Sequence, residues 1–189
     1  MSSDAIVLVA SDPAWPTAFA TARDEILTIL PDPLLIEHIG STAVPGLSAK
    51  PVIDIIVLVD DMACAHAALP QLAGLGYQYR PEVSYRARLF LSRIGADGIR
   101  THHLHIHTDQ DDVRRHVLFR DELRADAATC EAYQALKQDL AHRHGDDREA
   151  YAKGKDAFID AVVRAAGGPE RRPFWNSKEL VSSPGETAT

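Results

Sequence analysis

The chain is predicted to fold as an α/β (α+β) domain with a sheet of mixed strand direction, helices on one face and a helical segment at the C-terminal end. Three observations lead to this prediction. The run 52–59 is almost entirely apolar and β-branched, which is typical of a central strand covered on both faces. Two extended stretches flank the turn sequence at 95–98, which indicates a hairpin. The last third of the chain carries apolar residues at helical spacing.

The first half of the chain alternates between helical and extended patterns. Asp12 is suited to cap a helix, and apolar residues from Trp15 onward recur at helical spacing until Pro31 and Pro33 end the pattern. The next predicted elements are a strand at 34–39, a loop with a short helix at 40–51, a strand at 52–59, a helix at 63–75 and a short strand at 77–79.

The second half begins with the hairpin, whose strands are expected at 84–93 and 99–107, and continues in helices at about 112–125, 128–143 and 147–166. We therefore expect one domain over residues 1–166. Gly, Pro, Ser and charged residues are frequent in 167–189, which indicates a flexible C-terminal tail.

The composition fits a soluble globular domain, since 46% of the 189 residues are hydrophobic and 25% are charged. The formal net charge of −7 argues against a general nucleic-acid binder. Two distant cysteines indicate neither a disulfide framework nor a cysteine-based zinc site. No secretion signal or bilayer-length apolar run is present, so we expect a cytoplasmic location without membrane association.

The chemistry is concentrated in residues 36–57. Gly40, Ser41 and Thr42 form a small hydroxyl-rich turn of the kind whose backbone N–H groups can meet a phosphate. Asp54 lies inside an apolar stretch, where a carboxylate is costly unless it is paired or bound to a metal. Lys50 can neutralise phosphate charge between them. This order suits nucleotidyl transfer, with Asp54 and Lys50 as catalytic residues and Asp54 as a metal ligand.

A simpler interpretation also exists for each of these residues. Small hydroxyl residues commonly cap helices, so the turn could serve the fold alone. Asp54 could pair with a buried cation, such as Lys50 or an arginine of the hairpin, without any catalytic role.

The string HIGSTAVPGLSAKPVIDI at 38–55 resembles the signature of the GrpB family, which belongs to the polymerase-β-like nucleotidyltransferase superfamily. The resemblance implies a mixed sheet of the nucleotidyltransferase type and, at superfamily level, use of an NTP with a divalent metal. Weaker matches extend it over most of residues 6–166, at 7–9, 12–16, 103–106, 118–124 and 151–159.

One position departs from the superfamily pattern. Active members usually carry two metal-binding acids separated by one residue on this strand, and the second position here is Ile56. Because side chains alternate along a strand, Asp54 and Ile56 share a face that offers one carboxylate. Two-metal chemistry is therefore in question, and other ligands or a loss of catalysis are the alternatives.

A histidine-rich strand could supply the missing ligands. His103, His105 and His107 share one strand face, and imidazoles suit Zn²⁺, Mn²⁺ or iron better than Mg²⁺. Because the sheet twists, we expect at most two of them, His103 and His105, to join Asp54 at a metal. The alternative is a polar pocket without metal. His38, just before the glycine turn, could join these ligands, but the favoured interpretation is a core histidine hydrogen-bonded to the backbone.

Arginines of the hairpin are further candidates for anion binding. Arg86 and Arg88 are expected on one strand face, where they could clamp a triphosphate. Their simpler role is a solvated or ion-paired face. Tyr151 and Lys155 form an i, i+4 pair that we interpret as packing and surface.

The leading hypothesis is metal-dependent transfer of a nucleotidyl group from an NTP to an unknown small acceptor. Gly40, Ser41, Thr42, Lys50 and an arginine of the hairpin would bind the nucleotide, and a divalent ion (Mg²⁺, Mn²⁺ or Zn²⁺) would bind at Asp54. Two alternatives remain open: an inactive nucleotide- or anion-binding accessory protein, and a metalloenzyme built on the histidine strand. A P-loop kinase is excluded because no Walker-type loop is present.

Overall fold

The structure is a computed structural model that describes residues 6–172. Its sheet has five strands in the order β1-β2-β5-β4-β3, in which β2 and β5 are parallel and the other neighbours are antiparallel. The expected mixed α/β sheet is therefore confirmed. The elements are α1 (Trp15–Leu27), β1 (Leu35–Ile39), β2 (Ile53–Leu58), α2 (Met62–Gly74), β3 (Tyr77–Tyr79), β4 (Arg88–Ile94), β5 (Arg100–His107), α3 (Gln110–Ala125), α4 (Ala127–Arg143), α5 (Arg148–Lys153) and α6 (Asp156–Ala165).

Helices cover both faces of the sheet. On one face, Ile55 and Val57 of β2 are fully buried in a cluster that includes α1 and α2. On the other face, Ile56 and Leu58 pack against Val113 of α3, and we call this the α3 face. The expectation of helices on one face is wrong, because β2 is apolar on both sides and each side needs a cover.

Aspartates begin most of the helices. The side chain of Asp61 accepts a hydrogen bond from the backbone N–H of Ala63 at 2.9 Å, as expected for the start of α2. Asp109, Asp126 and Asp147 cap α3, α4 and α5 in the same way. These carboxylates satisfy N–H groups that have no partner inside the helix.

The connection between β1 and β2 is anchored to the α3 helix. Val44 and Leu47 are buried with Phe119 in a second apolar cluster. Arg124 donates to the carbonyl oxygen of Ala43 from Nε at 3.0 Å and from Nη2 at 2.7 Å. A loop of small residues thereby gains a fixed conformation, which includes the 3-10 turn Ser41–Ala43.

Strand β4 begins at Arg88 and not near Ser84. A 3-10 turn occupies Pro81–Val83, and backbone hydrogen bonds of 2.9 and 2.8 Å between Tyr85 and Arg88 close a tight turn. Arg86 lies on that exposed turn. The expectation that Arg86 and Arg88 share a strand face is therefore wrong, because the strand alternation does not reach Arg86.

The last predicted helix is divided between α5 and α6. A Cβ atom at Gly154 would lie 2.4 Å from Cδ2 of Leu140, so only glycine lets this segment approach α4 so closely. The chain leaves the α5 helix there and starts α6 at Asp156. This break leaves Lys155 between two helices and beside the cavity described below.

Residues 167–172 return along α3 and α6. Arg171 pairs with Asp160 at 3.0 Å, and Arg172 pairs with Asp109 at 2.8 Å. The rest of the predicted tail, 173–189, lies outside the described residues. Within residues 6–172, no helix combines the length and the apolar character needed to cross a membrane.

The burial of Ile56 generates a stability prediction. Ile56→Asp should lower the free energy of unfolding by about 3–5 kcal/mol, because it leaves an unpaired carboxylate in an apolar cluster. Ile56→Val should cost only about 0.5–1.5 kcal/mol. Urea titration followed by circular dichroism measures both. Equal losses in the two variants would show that a carboxylate is tolerated at this position.

Candidate functional site

A cavity of about 110 Å³ lies at the N-terminal end of β2. It brings together Gly40, Ser41, Thr42, Lys50 and Asp54 from the run that the sequence singled out, and it adds His103 from β5. The remaining lining comes from the N-terminal segment, the β1–β2 connection, α4, α5 and the start of α6, namely Leu8, Ala49, Val52, Tyr133, Lys137, Tyr151 and Lys155.

A larger cleft of about 530 Å³ lies elsewhere, between the end of α1 and α2. Its polar residues include Asp32, Asp60 and Asp61, which are exposed to solvent. None of the site residues predicted from the sequence line it, so its size does not make it the better candidate.

Asp54 lies against the glycine turn. Gly40 adopts φ = 72°, a conformation that favours glycine, and a Cβ atom there would lie 2.5 Å from Oδ2 of Asp54. Only a residue without a side chain therefore lets the turn and the carboxylate come together. This geometry requires a glycine at position 40.

Two histidines lie near the other carboxylate oxygen of Asp54. Nδ1 of His103 donates to Oδ1 of Asp54 at 2.9 Å, and Nε2 of His105 lies 3.9 Å from the same oxygen. Register explains this, because parallel pairing sets Asp54 beside His103 and Ile56 beside His105. Burial raises the pKa of Asp54, but the two histidines outweigh it and hold that pKa well below its usual range. Asp54 is therefore an anion.

His105 is also fixed from its other side. Nη2 of Arg88, on the neighbouring strand β4, lies 3.1 Å from Nδ1 of His105. The guanidinium of Arg88 is 5.2 Å from the centre of the Phe90 ring, a cation–π contact. Burial lowers the pKa of His105 to about 3, although Asp54 acts in the opposite direction. His105 is therefore neutral at physiological pH. Neither Arg86 nor Arg88 lines the cavity.

Three lysines line the cavity. Nζ of Lys50 and Nζ of Lys155 lie 5.1 and 4.6 Å from the centre of the Tyr151 ring. Nζ of Lys137 donates to Oγ of Ser41 at 3.1 Å and to the carbonyl oxygen of Ser48. The cavity thus combines a cluster of amines with the anionic Asp54.

Burial and mutual repulsion act on these amines. Burial, with a further contribution from Lys155, lowers the pKa of Lys137 to about 7. Burial and the nearby Lys50 lower the pKa of Lys155 to about 8. Burial also lowers the pKa of Lys50. A bound anion would reverse these shifts, because it would favour the charged form of each amine.

Sequence reasoning missed Lys137 and assigned Lys155 to packing and surface. A signal for Lys137 exists, because it follows Tyr133 by four residues and precedes Leu140 by three, on the buried stripe of α4. A lysine on an apolar stripe indicates a buried amine that needs partners. Nothing comparable marks Lys155, since its position depends on the break at Gly154.

The hydroxyl of Thr42 is committed to the fold. It donates to the carbonyl oxygen of Val52 at 3.1 Å and is 3.0 Å from Nε2 of His38. Burial lowers the pKa of His38 to about 4, so the neutral ring serves as the donor to Thr42. His38 is a core histidine, as the sequence suggested. Of the two turn hydroxyls, only that of Ser41 has an amine partner from the cavity wall.

The residues around Asp54 fit a divalent cation. Ligand atoms of Asp54, His103 and His105 lie within 4.8 Å of one another, and no other such group of three occurs within residues 6–172. Carboxylate oxygens suit Mg²⁺ and Mn²⁺, and imidazoles suit Mn²⁺ and Zn²⁺. Nε2 of His103 is buried without a partner, which leaves that ring free to change its protonated nitrogen.

Comparisons with known proteins agree with this fold and signature. Residues 5–165 match the family model described as "GrpB protein". The chain is 40% identical over 178 residues to the UPF0157 protein PA4798 of Pseudomonas aeruginosa, and the match spans 92% of this chain and 73% of that protein.

Solved structures extend the comparison. The conserved protein GrpB from Enterococcus faecalis superposes with a TM-score of 0.76 at 36% identity, over 85% of this chain and 96% of that chain. The Cid1 poly(U) polymerase superposes with a TM-score of 0.54 at 16% identity, over 78% of this chain and 49% of that chain. The second likeness shows a shared nucleotidyltransferase-like fold. By its family match and its close relatives, the chain belongs to the GrpB family.

Proposed function

We propose that the cavity binds the phosphate end of an NTP together with a divalent ion, and that the protein transfers the nucleotidyl group to a small acceptor. The observation that carries this proposal is the meeting of Lys50, Lys137 and Lys155 with Asp54 in one cavity. Amines bind phosphate oxygens, and a carboxylate beside them binds the cation that accompanies a triphosphate.

The lysines suit the phosphate chain of the nucleotide. Lys155 and Lys50 both lie against the Tyr151 ring, and within residues 6–172 neither forms an ion pair with a carboxylate. Lys137 donates to the hydroxyl oxygen of Ser41, which leaves the Ser41 proton available for a phosphate oxygen. Together these groups would neutralise the charge that develops on the leaving pyrophosphate.

In the proposed reaction, the oxygen of an acceptor hydroxyl attacks the α-phosphorus and its proton is released to water. The bond from that phosphorus to the α–β bridging oxygen breaks, and pyrophosphate leaves. Asp54 and His103, with His105 beside them, would hold the divalent ion, which would supply Lewis-acid polarisation of a phosphate oxygen. The chain contributes orientation: Gly40 lets the carboxylate reach the turn, and the two histidines keep Asp54 ionised.

The fold supports this proposal at a coarse level. The structure of Cid1 poly(U) polymerase that resembles this chain has Mg and 3'-dATP bound. At 16% identity the likeness does not extend to substrate, so the choice of base and acceptor is part of the test.

A second candidate is a binding module without catalysis. Ile56, at the position of the usual second acid, is fully buried against Val113 and Ile39 and has no opening toward the cavity. The site therefore offers one carboxylate. Binding without turnover would favour this candidate over the transferase.

The lysine cluster predicts how nucleotide affinity responds to substitution. Lys155→Ala should weaken binding of an NTP with Mn²⁺ by at least roughly tenfold, because hydrogen bonds to charged groups contribute about 1.5–3 kcal/mol. The exposed Lys153, two residues away, is the matched control, and Lys153→Ala should leave the affinity unchanged. Isothermal titration calorimetry with each of the four NTPs gives the values. Equal affinities in the two variants would exclude the cavity as the binding site.

Turnover separates the two candidates. With an α-labelled NTP, Mn²⁺ or Mg²⁺ and a pool of small metabolites, the wild-type protein should release pyrophosphate and label a new species, and Asp54→Asn should not. Chromatography of the labelled products is the measurement. A protein that binds the NTP but releases no pyrophosphate is the outcome expected of the binding module.

The lysine pKa values predict a pH dependence of binding. Lys137 and Lys155 lose their protons near pH 7 and 8 in the free protein, so NTP affinity should fall as the pH rises from 6.5 to 9. Because a bound anion raises both pKa values, binding near pH 8 should take up protons. Calorimetry in buffers of different ionisation enthalpy measures that uptake. Affinity that is flat over this range would mean that these amines do not contact the nucleotide.

A further inference from the structure

The contact between Arg88 and His105 fixes which nitrogen of His105 carries the proton. A guanidinium has only donors, so Nδ1 of His105, 3.1 Å from Nη2 of Arg88, must accept with its lone pair. In a neutral imidazole the proton then resides on Nε2. Nε2 lies 3.9 Å from Oδ1 of Asp54, which is too far for a direct hydrogen bond, so its N–H acts on the carboxylate by electrostatic attraction.

Arg88 is itself held firmly in this orientation. Its guanidinium lies 5.2 Å from the ring centre of Phe90 and 5.8 Å from that of Tyr85, and Nη1 donates to the carbonyl oxygen of Val83 at 3.5 Å. Antiparallel pairing sets Phe90 opposite His105. Rotation of Arg88 away from His105 would break these contacts together.

His103 is not restricted in the same way. Its Nδ1 donates to Oδ1 of Asp54 at 2.9 Å, but its Nε2 is buried and has no partner. Ser92, directly opposite on β4, has a buried hydroxyl that also has no partner. If the proton of His103 moves to Nε2, Nδ1 is released to bind a cation.

We propose that Arg88 gives the two histidines different roles. It keeps the proton of His105 on Nε2, the nitrogen that faces Asp54, so that this N–H attracts and positions the carboxylate. It leaves Asp54 and His103 as the protein ligands of the divalent ion. The proposal rests on the ion site of the proposed function but not on turnover. His105, expected from the sequence as a ligand, becomes a positioning residue.

The division predicts the choice of metal. One carboxylate and one imidazole leave most coordination positions to water and phosphate oxygens, as Mn²⁺ and Mg²⁺ prefer. Zinc sites usually have at least three protein ligands. The presence of Arg88 therefore disfavours Zn²⁺ by removing the third ligand from the site.

The first test compares the Mn²⁺ affinities of His105→Gln, His105→Ala and His103→Gln by calorimetry on the full chain. Glutamine retains an N–H donor at the position of Nε2, so His105→Gln should bind Mn²⁺ within about threefold of the wild type, while His105→Ala should lose about tenfold. His103→Gln should lose at least about tenfold, since a ligand nitrogen is removed. Equal losses in His105→Gln and His105→Ala would make His105 a ligand and overturn the proposal.

The second test does not require a variant to fold. Long-range nitrogen–proton NMR of the wild-type protein identifies the protonated nitrogen of each histidine. His105 should carry its proton on Nε2 both without and with Zn²⁺, and His103 should change on addition of metal. A proton on Nδ1 of His105 would overturn the proposal even in the absence of metal.

Arg88→Met provides the converse experiment, because methionine retains apolar bulk against Phe90 but cannot donate. It should raise Zn²⁺ affinity relative to Mn²⁺ affinity by about tenfold or more, as His105 becomes free to act as a third ligand. An unchanged ratio in a folded variant would contradict the role of Arg88.

Failure of the wild-type protein to bind any divalent ion would overturn the assignment of Asp54 and His103 as ligands. Absence of NTP binding in a protein that still binds the ion would contradict only the proposed function.

Discussion

The structure around the cavity depends on the cost of holding one carboxylate inside a sheet. Asp54 belongs to β2, whose neighbours Ile53, Ile55 and Ile56 are buried and apolar. An ionised group in such surroundings is unfavourable unless donors surround it. On one side of the carboxylate, His103 donates a hydrogen bond and His105 lies 3.9 Å away. On the other side, the glycine turn at Gly40 packs directly against it. Three features stabilise the carboxylate in this position: the parallel register of β2 and β5, the glycine turn, and the anchoring of the β1–β2 connection.

A second constraint concerns charge distribution. The chain has a formal net charge of −7, yet three lysines line the cavity beside Asp54. Burial lowers the pKa of each of these amines. The local charge at the cavity therefore differs in sign from the net charge of the chain wherever these amines are protonated.

Sequence periodicity could predict much of this site, because its central part is local. Gly40, Ser41, Lys50 and Asp54 lie in one short run, and a period of two sufficed to align His103 with His105. The roles assigned to these residues remain predictions. The apolar run at 52–59 and the hairpin predicted the class of the sheet. They did not predict that a helix also covers its α3 face, because periodicity does not say which helix packs on which side of a sheet.

The parts that could not be predicted depend on tertiary contacts. Lysine on a helix is usually solvated, and the burial of Lys137 follows from the packing of α4 against the β1–β2 connection. Lys155 reaches the cavity because Gly154 interrupts the helix against Leu140. Arg86 lies in a tight turn and Arg88 begins β4. The backbone hydrogen bonds that close this turn could not be predicted from the pattern of side chains.

The separation of these residues along the chain has a consequence for biosynthesis. The turn and Asp54 are translated early, whereas Lys137 and Lys155 emerge only with α4 and the start of α6. The residues of α1, β1 and β2, together with Lys50, have emerged before Lys137 and Lys155 are translated. The cavity is therefore completed late in translation, and a nascent chain that stalls before Lys155 contains all five strands of the sheet but lacks that amine.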